Sequence, residues 1–200
     1  MDAHASTAPD GPPGIAVITG STREGRFGPR VAGWLLEEAA RHGGMRTDPV
    51  DLAEAGLPAH LPGYGTPELP AVRELGERLE AADGFVVVTP EYNHSFPGSL
   101  KNAIDLYREQ WRAKPVAFVS YGGMSGGLRA VEQLRLVFAE LHAVTVRDCV
   151  SLHNSWAQFP EDGSAGPSGD RDAAAKTMFD QLLWWAEVLR EARDRRPYAA

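Results

Sequence analysis

The sequence predicts an α/β domain built on a doubly wound parallel sheet. Three features of its 200 residues carry that expectation: short β-branched runs alternate with longer helical patterns, three runs are almost wholly apolar, and no second domain interrupts the alternation. A strand covered by helices on both faces has no solvated side, so it reads as a continuous apolar stretch. A chain of this length removes roughly 70% of its unfolded surface from water, enough for one self-supporting core. Residues 1–13, with Pro9, Pro12 and Pro13, read as a flexible leader, 14–195 as the single domain, and 196–200 as a tail.

The first run, Ile15 to Thr19, leads to a helix that starts near Gly28, buries Val31, Trp34 and Leu35, and stops at Gly43-Gly44. Arg46 to Asp51 is the second run, followed by a helix over about Ala71 to Ala82 with Val72, Leu75 and Leu79 on one face. Phe85 to Thr89 precedes a third helix, which opens after Phe96-Pro97 and repeats Leu100, Ala103, Ile104 and Tyr107. Val116 to Ser120 precedes a fourth, with Leu134, Val137, Phe138 and Leu141. A fifth run, Val144 to Asp148, leaves a last helix carrying Met178, Leu182, Trp185 and Leu189. All five helices are amphipathic. Right-handed crossovers fold such a series into an open sheet that binds ligands beyond the carboxyl ends of its strands. Residues 52–68 and 154–170 are rich in Pro and Gly and longer than ordinary connections, which suits a lid or a subunit contact.

Twenty basic against twenty-seven acidic side chains give a net charge of −7, which repels nucleic acid and anionic membrane. Cys149 is the single cysteine, so no internal disulfide is available, and no Cys/His spacing resembles a metal site. No apolar stretch approaches the ~20 residues that span a bilayer. A soluble, cytoplasmic protein is expected.

Three loops carry the chemistry. The first, Gly20-Ser21-Thr22-Arg23-Glu24-Gly25-Arg26-Phe27-Gly28, joins a strand to a helix start. Its hydroxyls, glycine-freed N–H groups, guanidiniums and helix N-terminus all favour an oxyanion. It lacks both G-x-G-x-x-G and a Gly-Lys-Ser/Thr ending, so a terminal monophosphate suits it better than a pyrophosphate or triphosphate. The second, Pro90 to Ser99, offers the flat ring of Tyr92, the amide of Asn93 and backbone held by two prolines, which suits the edge of a planar heterocycle. The third, Ser120-Tyr121-Gly122-Gly123-Met124-Ser125-Gly126-Gly127, has four glycines that let backbone approach a ligand.

The stretch P-E-Y-N-H-S-F-P-G-S-L-K-N-A-I-D, together with the first loop, resembles the NAD(P)H-dependent FMN reductases of flavodoxin-like fold, a group that includes quinone, azo-dye and chromate reductases. The likeness runs from about Ile15 to Leu141. It implies a three-layer sandwich with a five-stranded parallel sheet of order 2-1-3-4-5, FMN as cofactor, and NADH or NADPH as electron donor. By that resemblance Ser21, Arg23 and Arg26, with Phe27 and Gly28, hold the FMN phosphate. Pro90, Glu91, Tyr92 and Asn93 line the flavin, and Ser120, Gly122, Gly123 and Ser125 face it from the other side. Tyr92 and His94 are then candidates to touch nicotinamide or acceptor, and no side chain need act as acid or base. Many relatives carry a serine and, two residues on, an asparagine where this chain has Arg26 and Gly28. The resemblance also implies a small acceptor such as a quinone, an azo compound or free flavin, and a homodimer or homotetramer.

Two rival readings remain at this point. A flavodoxin-type carrier would bind FMN without being an enzyme. Gly123-Met124-Ser125-Gly126-Gly127 also fits G-x-S-x-G, with Asp148 and His153 following in the order of a serine hydrolase.

Overall fold

A computed structural model describes residues 11–63, 65–159 and 169–199. Strand β1 (Gly14–Thr19) feeds α1 (Gly28–His42), β2 (Arg46–Asp51), α2 (Pro70–Ala81) and β3 (Gly84–Pro90). There follow α3 (Gly98–Asp105), a single 3-10 turn at Glu109–Trp111, β4 (Pro115–Tyr121), α4 (Leu128–Glu140), β5 (Val144–Thr145), β6 (Val150–Leu152), the short α5 (Ser155–Gln158) and α6 (Gly169–Arg195). Local sequence explains the ends. Gly43 adopts the left-handed backbone that stops α1, and Pro29 and Pro70 stand in the first turns of α1 and α2, where no N–H is needed.

The strands are parallel in the order β2-β1-β3-β4-β5, as expected. The predicted fifth strand, Val144 to Asp148, is corrected to two short pieces. Val116 pairs with Thr145 and Val119 with Val150, so three steps along β4 match five along its neighbour and two residues are extra. Arg147 and Asp148 fall in this bulge, where Asp148 bonds Gln181 on α6 through its backbone N–H. Charged residues in a covered strand would have to be buried unpaired, whereas a bulge turns them out.

Side chains alternate across the sheet. Ile15, Val17, Val86, Val88, Ala117 and Val119 pack with Val31 and Leu35 of α1 and with Met178 and Leu182 of α6. Ala16, Ile18, Phe85, Val87, Val116 and Phe118 face the other way, onto Leu75 and Leu79 of α2, Leu100 and Ile104 of α3, and Leu134 and Phe138 of α4. The strand order therefore reverses between β1 and β3, and the loops after these two strands open a crevice. Of the expected leader, residues 1–10 lie outside the described residues. Pro13 is buried, and its carbonyl accepts from the Arg46 N–H at 2.9 Å. Residues 160–168 of the long connection after β6 are also outside them. Among the described residues, no helix is long and apolar enough to cross a membrane.

At the end of the sheet away from the crevice, Lys114 is buried and donates to the carbonyls of Leu79 and Glu80 at 2.9 and 2.8 Å, closing the last turn of α2. Burial, more than the nearby charges, pushes its amine down to about 8. The folded state thus binds this proton less well than the unfolded chain, and stability due to Lys114 rises as pH climbs through the folded value. Unfolding in urea should show wild type gaining roughly 2 kcal/mol on Lys114→Met between about pH 8 and pH 10. A difference that stays flat with pH would refute a titrating Lys114.

Candidate functional site

The crevice is walled by the three loops, and hydrogen bonds tie them to one another. Gly20 N–H donates to Val88 O at 2.9 Å, fixing the start of the first loop to β3. Ser21 is fully buried, with its hydroxyl 2.8 Å from the Tyr92 hydroxyl of the second loop. Ser99 Oγ donates to Gly20 O at 3.2 Å. From Thr22 to Gly25 the backbone is exposed, and the N–H groups of Thr22, Glu24 and Gly25 donate to no acceptor among the described residues. A bare run of N–H groups wrapped before a helix N-terminus has the donor set of a phosphate site.

The two arginines of this loop differ. Arg23 is exposed, and no hydrogen bond or ion pair engages its guanidinium among the described residues. Arg26 reaches instead to Asp51 at the end of β2, Nη2 to Oδ2 at 2.6 Å, and this hydrogen bond raises its already high affinity for a proton. The sequence reading of Arg26 as a phosphate ligand meets a guanidinium already committed to a carboxylate. Phe27 packs in a tilted contact with Tyr121, ring centroids 5.9 Å apart. Gly28 has no room for a side chain: a Cβ would lie 2.8 Å from Thr19 Cγ2 and 3.0 Å from the Tyr121 hydroxyl. Burial, with Tyr92 next in importance, raises the Tyr121 phenol above its ordinary value, so it stays neutral.

The second loop turns sharply at Tyr92–Ser95, whose backbones exchange hydrogen bonds of 2.7 and 3.0 Å. Asn93 and His94 both have positive φ, 49° and 70°, as a two-residue hairpin turn requires, and Asn tolerates this better than most residues. Gln133 of α4 holds the turn, donating to His94 O and accepting from Ser95 Oγ, both at 2.6 Å. Asn93 and His94 therefore project from a fixed turn into solvent. Glu91 reaches across to the third loop and the start of α4. Its carboxylate accepts from Ser125 Oγ at 2.9 Å, Arg129 N–H at 3.2 Å and Arg129 Nη1 at 2.7 Å. Burial alone would raise this carboxyl, but the bonds from Arg129 and Ser125 outweigh it and hold it below the usual range.

In the third loop, Ser120 is fully buried and donates to Gly126 O at 2.8 Å. It braces the loop from beneath. Gly122 and Gly123 are half-buried on the surface of the loop, and the N–H groups of Gly123, Met124 and Ser125 find no protein acceptor among the described residues. Glu91, Ser120 and Ser125 thus spend their side chains on shaping the loops.

The hydrolase arrangement does not assemble. Ser125 donates to Glu91, His153 is 2.7 Å from Met124 O and 3.3 Å from Ser151 Oγ, and Asp148 is bound by Arg147 and Gln181. Three groups the sequence reading did not single out matter here: Asp51, Arg129 and Gln133. Arg129 left a signal, since a cation in the first turn of a helix opposes the helix dipole and asks for a nearby carboxylate. Asp51 and Gln133 left none.

Comparison with known proteins agrees with this architecture. The chain is 39% identical over 123 residues to an NAD(P)H-dependent FMN reductase of Schizosaccharomyces pombe, covering 58% of this chain and 60% of that protein. It is 35% identical over 189 residues to a 2-hydroxy-1,4-benzoquinone reductase of a Burkholderia species, covering 91% and 97%. A quinone reductase of Escherichia coli K12 is 36% identical over 145 residues, covering 66% and 72%. The chain spans 60% and 64% of the lengths of the S. pombe relative and of a similar FMN reductase from a Nectria species. Among solved structures, the Paracoccus denitrificans flavoenzyme FerB, an NAD(P)H:(acceptor) oxidoreductase, superposes with a TM-score of 0.72 at 24% identity, covering 88% of this chain and 98% of that one, and shows the same fold. The profile of the family described as NADPH-dependent FMN reductase matches residues 13–157, and with most of its length matched this chain belongs to that family.

Proposed function

We propose that this protein is an NAD(P)H-dependent reductase that carries FMN and passes electrons to a small acceptor such as a quinone, an azo compound or free flavin. The observation that supports it most is the convergence, at the carboxyl end of the strands, of the N–H groups of Thr22, Glu24 and Gly25 with those of Gly123, Met124 and Ser125, none of which has an acceptor among the described residues. The first suits a monophosphate and the second the polar edge of a planar ring. Bound FMN supplies the hydride relay between nicotinamide and acceptor, while the protein contributes binding, orientation and electrostatics. Ser21, Arg23 and the N–H groups of Thr22, Glu24 and Gly25 hold the phosphate. Asp51 keeps Arg26 as a brace that sets the height of this loop, with Phe27 and Gly28 fitting it against Tyr121. Pro90, Tyr92 and Asn93 border one side of the flavin, and Gly122, Gly123 and the Ser125 N–H the other. Glu91, Ser120 and the Ser125 hydroxyl keep these borders in place. His94 stands at the mouth beside Tyr92, where nicotinamide or acceptor enters.

Anaerobic titration of the FMN-loaded protein tests the reading. NADH or NADPH should bleach the flavin absorbance, and added quinone should restore it. If neither nucleotide bleaches bound FMN, the protein is a carrier rather than a reductase. A cytoplasmic location is supported by the lone Cys149, half-buried and unpaired with another cysteine. Trp184 and Val188 leave an apolar stripe exposed on α6, which supports a homodimer or homotetramer. Light scattering should give at least twice the chain mass, and a monomeric mass would refute the assembly.

A further inference from the structure

One large apolar side chain beside the third loop is exposed on a segment whose backbone is fastened in place. Trp156 on α5 is 62% exposed, although a free indole of this size gains by burial. Its ring lies on the third loop: Cη2 is 3.5 Å from where a Cβ on Gly123 would stand, ordinary contact distance. The segment carrying it is fastened to three successive carbonyls of that loop. Ser155 N–H donates to Gly122 O at 3.2 Å, Asn154 N–H to Gly123 O at 3.0 Å, and the His153 ring nitrogen Nδ1 is 2.7 Å from Met124 O. From behind, Arg171 donates to Gln158 O at 2.8 Å and stacks over Phe159 at 4.5 Å. Asn154 takes a left-handed backbone, φ 45°, to aim the short helix this way. Met124, the next residue after Gly123, is 91% exposed.

We infer that Trp156 and Met124 form an apolar platform at the mouth of the crevice that stacks a planar, electron-poor aromatic acceptor of the quinone class. The inference rests on the reductase reading above. Stacking suits this chemistry because the indole face is electron-rich and a quinone ring is electron-poor, so offset faces attract. The fastening of the α5 backbone lowers the ordering cost on binding, since only side-chain rotamers remain to be fixed. Met124 adds a polarizable thioether that adapts to rings of different outline.

The test compares wild type, Trp156→Ala and Trp156→Phe with menadione and with ferricyanide, an acceptor that has no ring to stack. Trp156→Ala should raise KM for menadione about tenfold with kcat nearly unchanged, and leave ferricyanide reduction, the KM for NAD(P)H and FMN affinity as they were. Trp156→Phe should recover most of the loss. Equal effects on both acceptors, or none on menadione, would overturn the platform, and so would a rise in the nucleotide KM, a loss of FMN or a change in mass by light scattering. A second readout does not need turnover: menadione should quench tryptophan emission more in wild type than in Trp156→Phe, and equal quenching would also overturn it. A wild type that reduces neither acceptor would fail the reductase reading, leaving the quenching experiment to judge the platform by itself.

Discussion

Gly127→Ala is expected to lower the unfolding free energy by about 3 kcal/mol and to abolish tight FMN binding. At φ 87° Gly127 occupies the left-handed region, and a Cβ would stand 2.6 Å from Ser120 Cβ and 2.9 Å from the backbone nitrogen of Tyr121. Neither neighbour can move. Ser120 is locked to Gly126 O, and Tyr121 belongs to the central strand β4, paired with Pro90 on one side and Leu152 on the other. The loop would therefore have to lift, carrying the N–H groups of Gly123, Met124 and Ser125 off their line. Gly123→Ala is the matched control, because a Cβ there meets only the Trp156 ring at 3.5 Å. Urea unfolding of the apo proteins, with FMN titration of each, decides the matter. A midpoint for Gly127→Ala no lower than that of Gly123→Ala would show that the loop has room to spare.

Arg23→Ala should weaken FMN by about 1.5 to 3 kcal/mol, the scale of a charge-assisted hydrogen bond, or roughly 10- to 150-fold in Kd. Of the two loop arginines it is Arg23 whose guanidinium meets no carboxylate among the described residues, so its charge is available to an anion. Arg23→Lys should recover only part of the loss, since an ammonium lacks the planar fork that grips two oxygens. Arg23 is exposed, so the melting temperature of the apo protein should not move. Fluorescence titration of FMN that gives the same Kd for Arg23→Ala and wild type would mean the first loop has been misread.

Much of this architecture is legible in the sequence, for identifiable reasons. Val86 to Val88 and Val116 to Val119 are apolar without a break because helices cover both sides, and that pattern has few other meanings. Helix ends are equally readable where a special residue marks them, as at Gly43 and Pro70. The fifth strand is misjudged because Val144 to Asp148 has suitable residues, yet nothing local announces that β4 requires Val150 opposite Val119. Loop positions in the site are legible from type and order. Side-chain directions are not: Glu91 looks toward Arg129 and Arg26 toward Asp51, and both partners come from elements distant in the chain. Periodicity reports which face a residue occupies and says little about the charge waiting across a crevice.

The interrupted outer strand bears on how copies of this protein can meet. Along β2, the opposite border of the sheet, Pro49 has no N–H to offer and Asp48 is tied to Arg78 of α2. The β5 border runs only two residues before Arg147 and Asp148 swing the backbone out of line. Neither side presents a long, straight row of donors and acceptors, so an incoming chain finds no template on which to extend the sheet. The same shape guards against fibrous aggregation by edge-to-edge pairing, and leaves self-association to surfaces other than the two sheet borders.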